Sequence, residues 1–263
     1  MGAAILVVLA VGLLGLVLWH GIRALELAVV ARQLARAPSG EVAFDELALA
    51  GLPEQARAYL QHGLTPGTPI YRSAELQLRG AIGRMPFHAR LRVTPESGGL
   101  LQASVAPRGG LWLRWVSYRV VNGDGATALM LWGVLPMWGR GLHLLRAWAE
   151  SLLGMAPVFV PSALLPAAGC RWAATDSGHV MAVLQSATAD RRWELAVGAE
   201  GDLLWVRELH DETGSPAVRL AVEEEARWAG MMLPSRIRMI SWPPCTEGAL
   251  PDLQARITAV RFG

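Results

Sequence analysis

The chain contains no lysine. Its 24 basic residues are all arginine, they face 22 acidic ones, and the formal net charge is only +2. The missing lysine reads as a codon-composition effect, but the near balance of charge bears on function. A protein that displaces counterions from nucleic acid needs a dense basic face, and no stretch of this chain supplies one. Charge of either sign is scarce. Only 17% of residues are charged, against about 25% in an ordinary soluble domain. Cysteine is nearly absent too. Cys170 and Cys245 stand outside any CxxC and away from paired histidines, which excludes zinc and thioredoxin-type readings. Whether they pair or stay as ordinary thiols is open at this level. The six histidines, at positions 20, 62, 88, 143, 179 and 210, lack ligand spacing. No GxSxG elbow, HExxH, Walker loop or GxGxxG occurs. The sequence therefore predicts no catalytic residue, no metal site and no cofactor.

What the chain does have is apolar residues, 52% of its 263 positions. The N-terminal run Ala3 to Trp19 carries no charge and reads AAILVVLAVGLLGLVLW. At about 1.5 Å per residue it approaches the roughly 30 Å hydrocarbon core of a bilayer. Trp19, His20 and Arg23 follow at headgroup level. A cleaved signal peptide would carry a basic n-region and a nearby small-residue cleavage site. Nothing basic precedes this run, and Ala35-Arg36-Ala37 lies too far downstream. The expectation is an uncleaved single-pass anchor in the inner (cytoplasmic) membrane, with the bilayer as partner. Arg23, Arg32 and Arg36 all follow the span, which places the remaining domain on the cytoplasmic side. The helical pattern continues through GIRALELAVVARQLARA and stops at Pro38, Ser39 and Gly40.

Three regions follow from the patterning. Residues 1–37 form the anchor and its helical extension, and residues 38–69 a linker and small helical region. Residues 70–263 form an antiparallel β domain, with a helical insertion at about 140–166. In the helical region, Leu52, Ala56, Tyr59 and Leu60 share one face. FHARLRV is the clearest strand: Phe87, Ala89, Leu91 and Val93 face one side and His88, Arg90 and Arg92 the other. The run TALMLWGVL is predicted as one strand apolar on both faces. Leu129, Leu131 and Leu135 occupy one face, and Met130, Trp132 and Val134 the other. Such a strand needs cover on both sides. The segment from Arg140 to Leu153 supplies one cover, a helix with Leu142, Leu145, Trp148, Ala149 and Leu152 on its apolar side. Pro157 and Pro161 end it. The second cover is open: sheet, ligand or partner. The fold class is thus mainly β (α+β), a curved antiparallel sheet or half-barrel of roughly a dozen strands covered by a helical insertion.

Two acidic features call for comment. Glu150 lies four residues after Arg146, so the two pair on one helix face or Glu150 borders a cavity with a raised pKa. Glu223, Glu224 and Glu225 split between the faces of a strand, facing arginines such as Arg236 or Arg238, and read as a solvated edge.

LPEQARAYLQHGL, ELQLRGAIG, PFHARL, AWAES and VPSALLPAAGCRW occur in an order that resembles an uncharacterised bacterial domain family. That family is marked by an LP…YL opening and an AE…P-x-ALL…W centre. The resemblance covers most of the chain from about residue 52 to 262. It implies a shape similar to the lipoprotein-carrier type, a curved sheet wrapped on helices, and it carries over no catalytic residues. The chain departs from the pattern in its anchor and between Glu150 and Pro161, where GMAPVF lengthens the spacing.

These readings lead to a membrane-tethered binding module for an apolar or lipid-like ligand. The candidate cavity lining is Trp112, Met130, Trp132, Trp148, Glu150, Leu165, Trp172 and Trp205. The alternatives are a membrane-anchored interaction or scaffold domain, and an enzyme acting on an amphiphile.

Overall fold

The computed structural model describes residues 2–35, 43–96, 98–106, 113–120, 125–133, 135–137, 140–185, 190–209, 217–242 and 252–263. Trp112, His210 and Cys245 lie outside the described residues.

Helix α1 runs unbroken over Gly2–Ala35, so anchor and extension are one element. A 3-10 turn at Glu46–Leu49 and helix α2, Glu54–Gly63, follow. Asp45 caps the turn by accepting a hydrogen bond from the Leu47 amide at 3.1 Å. Ala56, Tyr59 and Leu60 of α2 are buried, and Leu52 packs against them.

The strands then alternate as their sequences dictate. They are β1 (Ala74–Ile82), β2 (Met85–Thr94), β3 (Gly98–Val105), β4 (Leu113–Val120), β5 (Gly125–Leu131) and the two-residue β6 (Leu135–Pro136). Helix α3 (Arg140–Gly154) comes next, then 3-10 turns at Ala156–Phe159, Pro161–Leu164 and Pro166–Ala168. A proline at the first or second position of each turn forgoes an N–H that has no partner there. The return strands are β7 (Cys170–Ala174), β8 (Val180–Leu184), β9 (Arg191–Val197), β10 (Leu203–Leu209), β11 (Ala217–Trp228), β12 (Met231–Trp242) and β13 (Leu253–Phe262).

All of them join one open antiparallel sheet of 13 strands, ordered β6-β5-β4-β3-β2-β1-β13-β12-β11-β10-β9-β8-β7. The chain steps outward from β1 to the edge at β6 and reaches the opposite edge at β7 through α3 and the 3-10 turns. It then steps back until β13 pairs with β1, Ala74 opposite Phe262. The helical insertion is therefore a strap across the inner face. α3 lies on β3, β4 and β5, the first 3-10 turn on β2 and β12, and the later turns on β7. Strap and inner face form one core, with Trp115, Trp148, Phe159, Trp193, Leu91 and Leu195 all buried.

One expectation needs correction. TALMLWGVL is not one strand. β5 ends at Leu131, and Trp132 turns the chain with φ 52 before β6 begins. The β11 stretch Glu223–Glu225 pairs with β12 alone, because β10 pairs with β11 only over Arg219 to Ala221, and Glu223 and Glu224 are exposed. Its strand bulges between Val222 and Glu225. Glu223 and Glu224 pair outward with Arg236 at 2.8 and 3.4 Å, while Glu225 binds His62 at 2.7 Å.

Candidate functional site

The second cover of β5 is the anchor helix itself. Leu100 of β3, Val116 of β4 and Met130 of β5 point away from the main core. They form a separate buried cluster with Val30 and Leu34 of α1, and Trp19, Leu27 and Ala31 pack against it. Thr94 Oγ1 donates to the Leu34 carbonyl at 3.3 Å and ties the helix end to β2. Further toward the N-terminus, α1 and the sheet part slightly. The outward side chains of β5 are small there, Ala126 and Ala128, and leave a narrow crevice between helix and sheet. Trp19, Leu27, Val116, Ala126, Ala128 and Met130 line it, with Glu26 the one acidic group. Beyond Trp19, Ile5, Leu6, Leu13 and Leu14 of the helix are exposed. The helix is long and apolar enough to cross a membrane.

The sequence-derived lining residues do not meet in one place. Trp148 and Leu165 are buried in the inner core. The Trp148 indole N–H has no acceptor among the described residues. Trp172 is half-buried beside them and donates to the Leu164 carbonyl at 2.8 Å. Met130 lies on the opposite face, under α1. Trp132 is 55% exposed at the β5–β6 turn. Glu150 is half-exposed and accepts from Arg146 Nε at 2.6 Å, the i,i+4 pair. Trp205 belongs to a third location, on the outer face of β10.

Around Trp205 is a polar network that no sequence pattern announces. The Arg219 guanidinium stacks 4.0 Å from the Trp205 ring centroid, and His179 meets the same ring edge-on at 4.8 Å. Glu194 accepts from Arg207 at 2.5 Å on one oxygen and meets His179 Nδ1 at 3.0 Å on the other. Burial pulls the Glu194 pKa upward. Hydrogen bonds and charge from His179 and Arg207 outweigh it, and the carboxyl titrates below its usual value. Both oxygens are engaged, so this carboxylate is an internal counter-ion rather than a free acid or base. Only the register of β9 against β10, with Glu194 opposite Arg207, brings the group together.

A second network closes the strap from inside. Arg191 donates to Glu208 at 2.9 Å and to the Gly154 carbonyl at 2.8 Å, and Trp193 Nε1 donates to that same carbonyl at 2.8 Å. A cation at the C-terminus of α3 also suits the helix dipole. Cys170 is buried, and burial pushes its thiol pKa up to about 12, against an opposing backbone hydrogen bond from Val183. Such a thiol is inert at neutral pH. Among the described residues, no group of three His, Cys, Asp or Glu side chains could hold a metal.

Residues 42–246 match the model of a family of unknown function, DUF6544, and the chain belongs to that family. No curated protein matches it. The matched segment holds β1 to β12 and the strap, and it excludes α1 and β13.

Proposed function

We propose that this DUF6544 member is a membrane-tethered binding module for an apolar or lipid-like ligand, seated where α1 meets the outer face of β4 and β5. The observation that carries this reading is the crevice lined by Trp19, Leu27, Val116, Ala126, Ala128 and Met130 at the foot of the apolar helix. An acyl chain leaving the bilayer along α1 meets this apolar lining first. The inner face is a less suitable seat, because the chain's own strap fills it with buried side chains. In this reading α1 is a single span of the cytoplasmic membrane. The spanning part is Ala3 to Trp19, and Arg23, Arg32 and Arg36 follow that part and favour a cytoplasmic position for the sheet.

The test uses the full chain. The protein is extracted in mild detergent, exchanged extensively, and examined by native mass spectrometry and organic extraction. The expected result is a retained lipid in the wild type that is lost in Ala126→Leu/Ala128→Leu, where added side chains fill the crevice. A lipid-free wild type, or a double variant that retains lipid equally, overturns the proposal.

A further inference from the structure

The edge of the sheet at β5–β6 carries an apolar patch that the domain does not use. Trp132 is 55% exposed, Leu135 44% and Met137 38%. Trp132 also has a φ of 52, a left-handed conformation that costs a bulky residue about 1 kcal/mol and that glycine or asparagine would adopt more readily. Among the described residues no packing repays that strain, since more than half of the side chain is bare.

The path of α1 identifies what the patch faces. At Leu34 the helix is bonded to Thr94 at the end of β2. Val30 shares a buried cluster with Leu100 of β3 and Val116 of β4, and Leu27 and Trp19 line the crevice with Val116 of β4 and Ala128 of β5. Toward its N-terminus the helix thus crosses the outer face strand by strand in the direction of the β6 edge. Trp19 stands one strand from that edge, and the apolar run begins there. On its side away from the sheet, Ile22, Leu25 and Val29 remain exposed, so the resting segment is itself coated with apolar groups. Arg114 is exposed on β4, opposite Met130, and adds a cation on the outer face that α1 crosses, while Leu135, opposite Leu131, borders the other face of the same edge.

We infer that the β5–β6 edge is a second membrane contact. Trp132, Leu135 and Met137 enter the headgroup region beside the emerging span and fix the tilt of the sheet against the bilayer. An amphipathic indole with apolar neighbours and a nearby arginine has the chemistry of an interfacial anchor. This inference rests on α1 being a membrane span, and its occupant is the lipid interface.

The experiment places single environment-sensitive fluorophores on the full chain, with Cys170→Ala and Cys245→Ala as background. The protein is reconstituted in vesicles of phosphatidylethanolamine and phosphatidylglycerol. Labels are attached at Leu135→Cys, at Leu13→Cys in the span, and at Leu204→Cys. Leu204 is 46% exposed on β10, and about 40 Å of sheet separates it from β6. The expected result is quenching at position 135 by a headgroup-level nitroxide lipid, several-fold above that at 204, with protection from aqueous iodide. If position 135 behaves like 204 while 13 is quenched by lipid, the edge contact is wrong and the span stands. Failure at 13 as well removes the span and the inference together. Protection from iodide at 135 without lipid quenching means that protein covers the edge, and this too overturns the inference.

Discussion

Glu194 is 8% exposed and holds its charge only because Arg207 and His179 donate to it. Replacing it by glutamine keeps the shape but removes the counter-ion for Arg207 and for Arg219, which lies against Trp205. The expected loss is about 1–3 kcal/mol at neutral pH. The sign of its pH dependence follows from linkage. The folded-state pKa lies below the unfolded one, so the wild-type carboxylate stabilises the fold fully above the ordinary value of about 4.3. That stabilisation is lost as pH falls through the lower folded-state value. Thermal unfolding of wild type and Glu194→Gln should therefore differ most at pH 7 and converge in strong acid. A constant difference across that range would mean that packing, not charge, sets the effect. The network itself was invisible in the sequence. Its members come from the turn before β8 and from β9, β10 and β11, and nothing in their local patterns specifies that Glu194 sits opposite Arg207.

At the level of elements, β5 shows what alternation reveals and where it stops. The pattern in FHARLRV gave the two faces of β2 correctly, with Phe87, Ala89, Leu91 and Val93 buried and His88 and Arg90 exposed. The two-sided apolar character of Leu129 and Met130 implied a second cover, but period alone cannot name it, because the partner lies about a hundred residues upstream. The continuous helical pattern after the span was legible and became α1. Its docking was not, since the helix is apolar on every side and its sheet-facing stripe does not stand out. Trp132 was misread for a related reason. A run of apolar β-formers gives no local signal that a tryptophan will take a turn position with positive φ. Substituting neighbours tests the two-sided arrangement. Leu129→Asp places a charge in the main core beside Trp115 and should cost more than about 4 kcal/mol, enough to abolish folded protein. Met130→Asp, one residue along, should cost about 1–3 kcal/mol and leave the sheet folded, while freeing α1. Limited proteolysis in detergent should then cut the helix extension in Met130→Asp far faster than in wild type. Equal protease resistance in the two would show that α1 is held elsewhere.

At the scale of the whole molecule, the sheet consists of two halves, one stepping outward and one stepping back, that meet at one seam. β1 to β6 form one half and β7 to β13 the other, and the strap and the β1–β13 pairing join them. Gly80 sits in that seam opposite Ala255, and the strands approach so closely that a Cβ at Gly80 would fall on the backbone carbonyl of Gln254. No side-chain rotation relieves a clash with main chain, so β13 must move. Gly80→Ala should therefore cost about 1–3 kcal/mol, although alanine is otherwise the mildest of substitutions. The distribution of the loss carries more information than its size. Seam partners such as Ala74 and Phe262 are far apart in sequence, so their pairing closes a long loop and is favoured only once both halves exist. A lesion there should loosen the seam selectively. Hydrogen exchange on Gly80→Ala should show β1 and β13 losing protection while β3 and β9, each inside its own half, keep theirs. If protection falls uniformly across the sheet, the halves are not separable units. The strap, pinned at Gly154 by Arg191 and Trp193, then holds all strands in one cooperative fold.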